Sequence, residues 1–311
     1  MRCATGAPSV RKPTPPPKSR RAAISKDEAP AVILHRRAFL TGTVASVAGF
    51  ALGNAPPSPV VLNPGGRVTQ GGWLRGRVQS GTTALTLDGQ QVEFASDGAF
   101  LLAFDRDAAP LARLAVSGAG GPSYIQDIAI APRAWQIEHI NVARKPGGVT
   151  DGDYLRLRRA ELAKISAARA RDTGAQGWRQ DFIKPAPGRF SGRFGAQRIY
   201  KGEPAAYHSG LDIAGGAGTT YVAPADGVVT LAAESPFSLE GRLLMLDHGM
   251  GLNSAFLHAS ELFVSEGETV RRGDPLGRIG STGRATGPHL HWSVKWRESR
   301  IDPLLLIDPA A

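Results

Sequence analysis

The sequence predicts a mainly β protein, in which a small β-sandwich, one connecting helix and a second all-β domain follow one another. Three observations support this prediction. Short stretches of alternating apolar and polar residues recur between tight turns, one Leu- and Ala-rich stretch interrupts them, and glycine-punctuated strands return after it. A content of 42% hydrophobic and 21% charged residues over 311 residues is that of a globular protein.

The front of the chain, residues 1–55, is predicted to be a disordered n-region followed by a signal peptide. Pro, Ser, Lys and Arg dominate its beginning, without an apolar period. The pair Arg36-Arg37 and the step Phe39-Leu40 then precede a modest apolar run, an order typical of the twin-arginine export route. This run of about 15 residues is shorter than the roughly 20 that span a bilayer. We therefore expect export to the periplasm or cell envelope, with no stable membrane span after signal cleavage.

The net charge of +10 is concentrated in the same segment. Residues 1–37 hold nine of the 37 Lys and Arg residues and only two acidic ones, so they carry +7 and the rest of the chain +3. A net charge of +3 on the rest of the chain gives no reason to expect a nucleic-acid partner. The one cysteine, Cys3, also lies here, so the folded part can form neither an internal disulfide nor a thiolate metal site.

Residues 56–145 are predicted to form an immunoglobulin-like β-sandwich. The turn pairs Asp88-Gly89 and Asp97-Gly98 each separate two alternating stretches, which is a hairpin pattern. About seven strands in roughly 85 residues, the last through Trp135 and Ile137, are typical of such a sandwich. His139 lies on the same face of that last strand as Trp135 and Ile137, which favours a packed or edge histidine over a metal ligand.

Residues 146–180 are predicted to form a helical linker. The stretch from Thr150 to Asp153 has the pattern of a helix start, and Leu155, Leu162 and Ile165 lie near one face of the helix that follows. The many arginines of this helix are expected to be solvated, with contact to an anionic glycan or lipid surface as the alternative.

Residues 181–311 are predicted to form the domain that carries the chemistry, because they hold five of the seven histidines. In an extended strand, the spacing of His208 and Asp212 and that of His289 and His291 would place each pair on one face. The residues of the other parity after His289 are apolar, so the histidines are expected to face a groove. Two imidazoles and a carboxylate suit zinc with an open fourth position, and they favour metal-assisted hydrolysis.

Five motifs of this domain resemble, in order, those of the lysostaphin/LytM-type zinc peptidases. The resemblance is strong over about residues 186–305, and the upstream β-rich domain and helix resemble those of exported bacterial cell-wall endopeptidases more weakly. The motifs are His208-x-Gly210-x-Asp212-x-Ala214, Ala223-Pro224-Ala225-Asp226-Gly227, Asp247-His248-Gly249, Phe256-Leu257-His258, and the stretch GSTGRATGPHLH from Gly280 to His291.

The resemblance implies an open antiparallel β-sheet groove, zinc as the cofactor and the peptide cross-links of bacterial peptidoglycan as the substrate. His208, Asp212 and His291 match the zinc ligands of the family. His258 and His289 match its two further catalytic histidines, which act on the water and the developing oxyanion. Likeness to exported Gram-negative forms favours the bond from D-Ala to meso-diaminopimelate.

The resemblance also implies an alternative, since some relatives lack metal ligands and activate cell-wall amidases without catalysis. All five site residues are present here, which favours the enzyme. The resemblance gives His248 no catalytic role and favours a turn histidine. Divisome or cell-wall regulators are expected as further partners.

Overall fold

In the computed structural model, which describes residues 59–63, 66–118, 123–142 and 152–307, strands account for most of the regular structure. The predicted mainly β fold is confirmed, and the described residues belong to one compact unit. The predicted signal peptide, within residues 1–55, lies outside the described residues. No helix in the described part of the chain is long and apolar enough to cross a membrane.

Seven strands at the N-terminal side form two antiparallel sheets with a common buried core. They are β1 (Val60–Asn63), β2 (Trp73–Val78), β3 (Thr82–Leu87), β4 (Gln90–Gln91), β5 (Ala99–Ala103), β6 (Leu111–Gly118) and β7 (Tyr124–Ala129). One sheet has the order β1-β2-β5 and the other β4-β3-β6-β7. An immunoglobulin constant domain pairs its fourth strand with its fifth, whereas here β4 pairs with β3 in the opposite sheet.

The hairpin turn at Asp88-Gly89 has the backbone conformation that its sequence predicts. Both residues have positive φ, 49° and 79°, as a type I′ turn requires. The carboxylate of Asp88 also accepts a hydrogen bond from the backbone N–H of Arg113 at 2.7 Å, which ties the turn to β6. The turn therefore sets the register of β3 against its neighbours.

The strand through Ile137 does not belong to the sandwich, so this part of the prediction is wrong. The strand β8 (Ile137–Ile140) pairs in parallel with β10 (Gln197–Tyr200), which in turn pairs with β11 (Glu203–Pro204). The sandwich still has seven strands because β4 is a separate short strand. His139 lies exposed on the edge strand β8, as an edge histidine would.

The predicted helix is present as α1 (Gly152–Arg169), but of the three residues predicted for its apolar face only Ile165 packs against a buried cluster. Leu155 and Leu162 are 55% and 49% exposed, whereas Glu161 and Ala168 are buried. The reason is that a polar contact of Glu161, described below, fixes the rotation of the helix. The division of the chain at residues 145 and 180 stays a prediction.

The C-terminal part contains a ten-stranded antiparallel sheet. Its strands are β9 (Arg189–Gly192), β12 (Leu211–Ala214), β13 (Thr220–Val222), β14 (Gly227–Ala232), β15 (Arg242–Asp247), β16 (Leu252–Leu262), β17 (Thr269–Val270), β18 (Pro275–Ile279), β19 (Leu290–Trp296) and β20 (Ser299–Ile301). The main path runs β17-β14-β15-β16-β19-β12-β9, and β18 pairs with both β13 and β16. A 3₁₀ turn (Gly177–Arg179) precedes the sheet, and a short helix, α2 (Leu304–Ile307), follows it.

The strand β19 alternates between the core and a more open face, as its sequence predicts. Leu290, Trp292, Val294 and Trp296 are buried, while the residues between them are partly exposed. The Trp292 indole N–H donates to Ser254 Oγ at 3.1 Å. The parity of β19 is therefore fixed by its apolar side, which leaves the other side to the histidines.

His248 lies in the turn between β15 and β16, as predicted, and its side chain is part of the core. It is fully buried, and its Nδ1–H donates to the carbonyl oxygen of Asp226 at 2.7 Å. Its Nε2 is therefore an acceptor, and the Ser254 hydroxyl donates a hydrogen bond to it at 2.8 Å. Burial lowers the pKa of His248 to about 4, so the ring is neutral near pH 7.

Candidate metal centre and groove

The three predicted metal ligands lie together where β12 and β19 meet. Asp212 on β12 stands directly opposite His291 on β19, and His208 approaches from the loop before β12. The ligand atoms of these three residues lie within 4.8 Å of one another. The prediction that each pair lies within one strand is wrong, because His208 lies three residues before β12 begins and His289 directly precedes β19. The side chains converge nevertheless.

The distances within this group suit a small cation. His208 Nε2 lies 3.0 Å from Asp212 Oδ1 and 3.1 Å from His291 Nδ1, and the last two atoms are 2.8 Å apart. The His208 Nδ1–H donates to the carbonyl oxygen of Arg193 at 3.0 Å, so Nε2 of the neutral ring presents a lone pair. With zinc bonds of 2.0–2.1 Å, tetrahedral ligand atoms lie about 3.3 Å apart. The donor types and their spacing therefore fit zinc.

Two glycines leave the room that this group needs. A Cβ on Gly210 would lie 2.6 Å from His291 Nε2, and a Cβ on Gly192 would lie 2.3 Å from Asp212 Oδ2. Both distances are shorter than any stable contact, so a side chain at either position would displace a candidate ligand. This is the physical reason for a glycine between His208 and Asp212.

The two predicted catalytic histidines complete the cluster. The ring centroids of His258 and His289 are 5.0 Å apart, and His289 Nε2 lies 3.8 Å from Asp212 Oδ1. The Nδ1–H of His258 donates to the Thr282 carbonyl oxygen, and that of His289 to the Gly287 carbonyl oxygen, each at 2.8 Å. In the neutral rings both Nε2 atoms are therefore proton acceptors.

His258 has an unusual backbone conformation, with φ +67°. It lies at the point where β16 changes partner, since Leu257 still pairs with His291 on β19 whereas Ala259 pairs with Ile279 on β18. The left-handed conformation of a non-glycine residue typically costs about 1–3 kcal/mol, and such strain is concentrated at functional sites. This irregularity in the strand directs the imidazole of His258 toward the metal-ligand group.

The electrostatics of the cluster follow from burial and from Asp212. Burial opposes ionisation of Asp212, but hydrogen bonds with His208 and His291 outweigh it and hold the pKa of this carboxyl well below its usual range. Burial also opposes protonation of His208, yet the hydrogen bond with Asp212 outweighs it and raises the pKa of that ring. For His258 and His291 burial dominates, and their pKa values are lowered.

The three candidate ligands and the two further histidines line an open cavity of about 630 Å³, which we call the groove. Sequence reasoning missed two charged residues of its wall. Glu240 carries no signal in the sequence, whereas Arg284 lies inside the recognised Gly280–His291 stretch. The other lining residues are Ser191, Ser209, Ala214, Leu239, Leu257, Ala285, Thr286, Gly287 and Pro288.

Helix α1 is bound to the groove wall by a largely buried polar network. Arg158 binds Glu240 through both guanidinium NH₂ groups, at 2.6 and 2.7 Å, and also reaches Glu161 at 3.0 Å. The carboxylate of Glu161 accepts hydrogen bonds from the backbone N–H and the hydroxyl of Ser238, each at 2.6 Å. The expectation that the helix arginines are solvated is therefore wrong for Arg158.

This network continues to the histidines through the backbone. The carbonyl oxygen of Glu240 accepts the N–H of His258 at 2.9 Å, and that of Leu239 accepts the N–H of Arg284 at 3.0 Å. The segment around residue 240 thus lies between α1 on one side and His258 on the other. Helix α1 is a structural support of the groove.

A comparison with known protein families gives one match. The family model described as Peptidase family M23 matches residues 206–303, a range that includes all five residues of the cluster. The peptidoglycan DD-endopeptidase ShyA of Vibrio cholerae is 36% identical over 124 residues, which are 40% of this chain and 28% of ShyA. The DD-carboxypeptidase/endopeptidase Mpg of Neisseria meningitidis is 36% identical over 102 residues, 33% of this chain and 23% of Mpg. The matches thus span about a quarter of the length of these two curated relatives.

Among solved structures, a Pseudomonas aeruginosa protein assigned to peptidase M23 is similar over 78% of this chain and 96% of its own. The TM-score is 0.61 and the sequence identity is 28%. A match of this extent is longer than residues 181–311, so the likeness includes strands that precede the histidine cluster.

Proposed function

Residues 206–303 form a domain of peptidase family M23, and on this premise we propose that the protein is a zinc-dependent endopeptidase that hydrolyses the peptide cross-links of bacterial peptidoglycan. The observation that carries the proposal is the group of three ligand atoms within 4.8 Å, flanked in one groove by two histidines with available Nε2 atoms. The names of ShyA and Mpg, a peptidoglycan DD-endopeptidase and a DD-carboxypeptidase/endopeptidase, support the choice of substrate.

In this proposal His208, Asp212 and His291 hold the metal. Two imidazole nitrogens and a carboxylate oxygen form a common ligand set for catalytic zinc. Zinc bound there supplies a Lewis acid that activates water and polarises a carbonyl oxygen. The hydrogen bond from His208 Nδ1 to the Arg193 carbonyl orients that ring, as hydrogen bonds to the second nitrogen of ligating histidines do.

His258 and His289 are the proposed proton-transfer residues. Each ring is fixed through Nδ1, so it can accept a proton at Nε2. Once protonated, the same atom can donate to an oxygen that gains negative charge during peptide hydrolysis. Because burial lowers the pKa of His258, this ring is neutral near pH 7 and ready to accept a proton.

We propose the bond from D-Ala to meso-diaminopimelate as the cross-link that is cut. The word DD-endopeptidase in the name of ShyA supports a bond between two D-centres. The alternative, a non-catalytic activator of cell-wall amidases, is not favoured because the complete set of five residues is present and converges. Divisome or cell-wall regulators stay predicted partners.

Digestion of purified sacculi tests the enzymatic proposal. The metal-loaded protein should convert cross-linked muropeptide dimers into monomers, and mass spectrometry should find a new D-Ala carboxyl group and a new amine on meso-diaminopimelate. A strong chelator should abolish the reaction, and added zinc should restore it. Intact dimers after prolonged incubation, or digestion that the chelator leaves unchanged, would contradict the proposal.

Export by the twin-arginine route is a separate proposal, supported by Arg36-Arg37 in the sequence and by a substrate outside the cytoplasm. Changing both arginines to lysine should leave the precursor in the cytoplasm, as cell fractionation and immunoblotting would measure. The unaltered chain, expressed in parallel, is the control. Unchanged export of the Lys-Lys variant would rule out this route.

A further inference from the structure

The charged side chains that line the groove differ in whether another side chain of the protein binds them. Its lining includes two carboxylates, Asp212 and Glu240, and one guanidinium, Arg284. Asp212 belongs to the metal-ligand group, and Glu240 is bound by Arg158 through two short hydrogen bonds. Glu240 is therefore neutralised by Arg158, whereas Asp212 is held in hydrogen bonds with His208 and His291.

No carboxylate among the described residues pairs with Arg284. Its side chain is exposed, and no hydrogen bond, ion pair or aromatic contact joins its guanidinium to any of the residues that the structure describes. Its backbone, by contrast, is fixed, because its N–H donates to Leu239 and the preceding Gly283 has φ +70° against the backbone of Gly241. A fixed backbone with an open cationic side chain suits the binding of an anionic group from outside.

We propose that Arg284 is a substrate-binding residue that recognises a free carboxylate of the peptide next to the scissile bond. This inference rests on the proposed function and adds a specificity determinant to it. A planar guanidinium can bind a carboxylate through two parallel hydrogen bonds, which a lysine ammonium cannot reproduce. The proposed cross-link contains meso-diaminopimelate, whose carboxyl group beside the cut bond is either free or amidated in a given peptide.

Two synthetic cross-linked peptides that differ only at this carboxyl group test the proposal. The protein should hydrolyse the free carboxylate about 10- to 100-fold more efficiently, in kcat/KM, than the carboxamide, which is the range expected for one charge-assisted hydrogen-bonded pair. Most of the difference should lie in KM, since the carboxyl group that Arg284 binds takes no part in the bond that breaks. The preference should weaken as salt is added.

Variants identify the residue responsible. Arg284→Gln should lose the preference and hydrolyse both peptides with the KM of the carboxamide, while Arg284→Lys should retain part of it. Arg271→Gln is the matched control, because it removes the same charge from an exposed position outside the groove. It should keep the preference of the unaltered protein.

The opposite results would overturn the proposal. These are equal kcat/KM for the two peptides in the unaltered protein, or a preference that Arg284→Gln leaves intact. Calorimetric binding of both peptides to the His289→Ala variant separates this inference from the proposed function. Tighter binding of the carboxylate without any hydrolysis by the unaltered protein would keep the role of Arg284 and refute the endopeptidase, whereas hydrolysis without a preference would do the reverse.

Discussion

Replacing His291 with alanine should remove bound zinc and activity together, whereas replacing His289 should remove activity and leave the zinc in place. The two residues are separated by a single position, but they differ in their surroundings. His291 Nδ1 lies 2.8 Å from Asp212 Oδ1 inside the ligand group. His289 Nε2 lies 3.8 Å from that atom, and its ring is held by the Gly287 carbonyl instead.

The expected sizes of the two effects follow from these roles. Loss of one of three protein ligands should lower metal affinity severely. Loss of a proton-transfer group should lower hydrolysis about 100-fold or more while the fold and the metal stoichiometry persist. Zinc content by mass spectrometry and release of muropeptides should be measured on both variants side by side. Equal zinc loss in both, or zinc loss in His289→Ala alone, would show that the two roles are assigned wrongly.

Replacing Arg158 with alanine should destabilise the protein and lower kcat, although this residue lies on a helix outside the sheet. The change leaves Glu240 without its bidentate partner and Glu161 with only Ser238. Stranding largely buried carboxylates in this way should cost about 2–3 kcal/mol of unfolding free energy. Because the Glu240 carbonyl holds the N–H of His258, kcat should fall about 10-fold or more with zinc content unchanged.

Arg156→Ala is the matched control for this experiment. It removes an arginine from the same helix, but the pair of Arg156 with Asp153 is exposed on both sides and contributes little. Thermal unfolding, zinc content and kcat should be measured on both variants, and Arg158→Lys should recover part of the loss. If Arg158→Ala behaves as Arg156→Ala does, α1 does not position the groove.

The sequence predicts best what is encoded locally. The alternation after Leu290 and the Asp88-Gly89 turn each depend on neighbouring residues, and the structure has both. The convergence of His208, Asp212 and His291 is predicted by the motif resemblance and not by residue spacing. The spacing predicts that His208 and His289 lie within strands, but both strands begin after them.

Other wrong predictions concern contacts between distant parts of the chain. The docked face of α1 is set by Ser238, which lies 77 residues from Glu161. In the same way, the strand through Ile137 pairs with β10, about 60 residues later, a partner that no local pattern reveals. A long-range polar contact can therefore outweigh the apolar pattern of an 18-residue helix.

The position of the ligand group also bears on how long the protein resists proteolysis. His208 and His291 are 83 residues apart in sequence, and the chain has only one cysteine, so it has no internal disulfide. A metal ion bound by these residues and Asp212 would cross-link two distant chain segments. A ligand bound only by the native state stabilises it by about 4 kcal/mol at a thousandfold excess over its Kd. A shortage of metal would then make the protein more susceptible to proteases and would also stop catalysis.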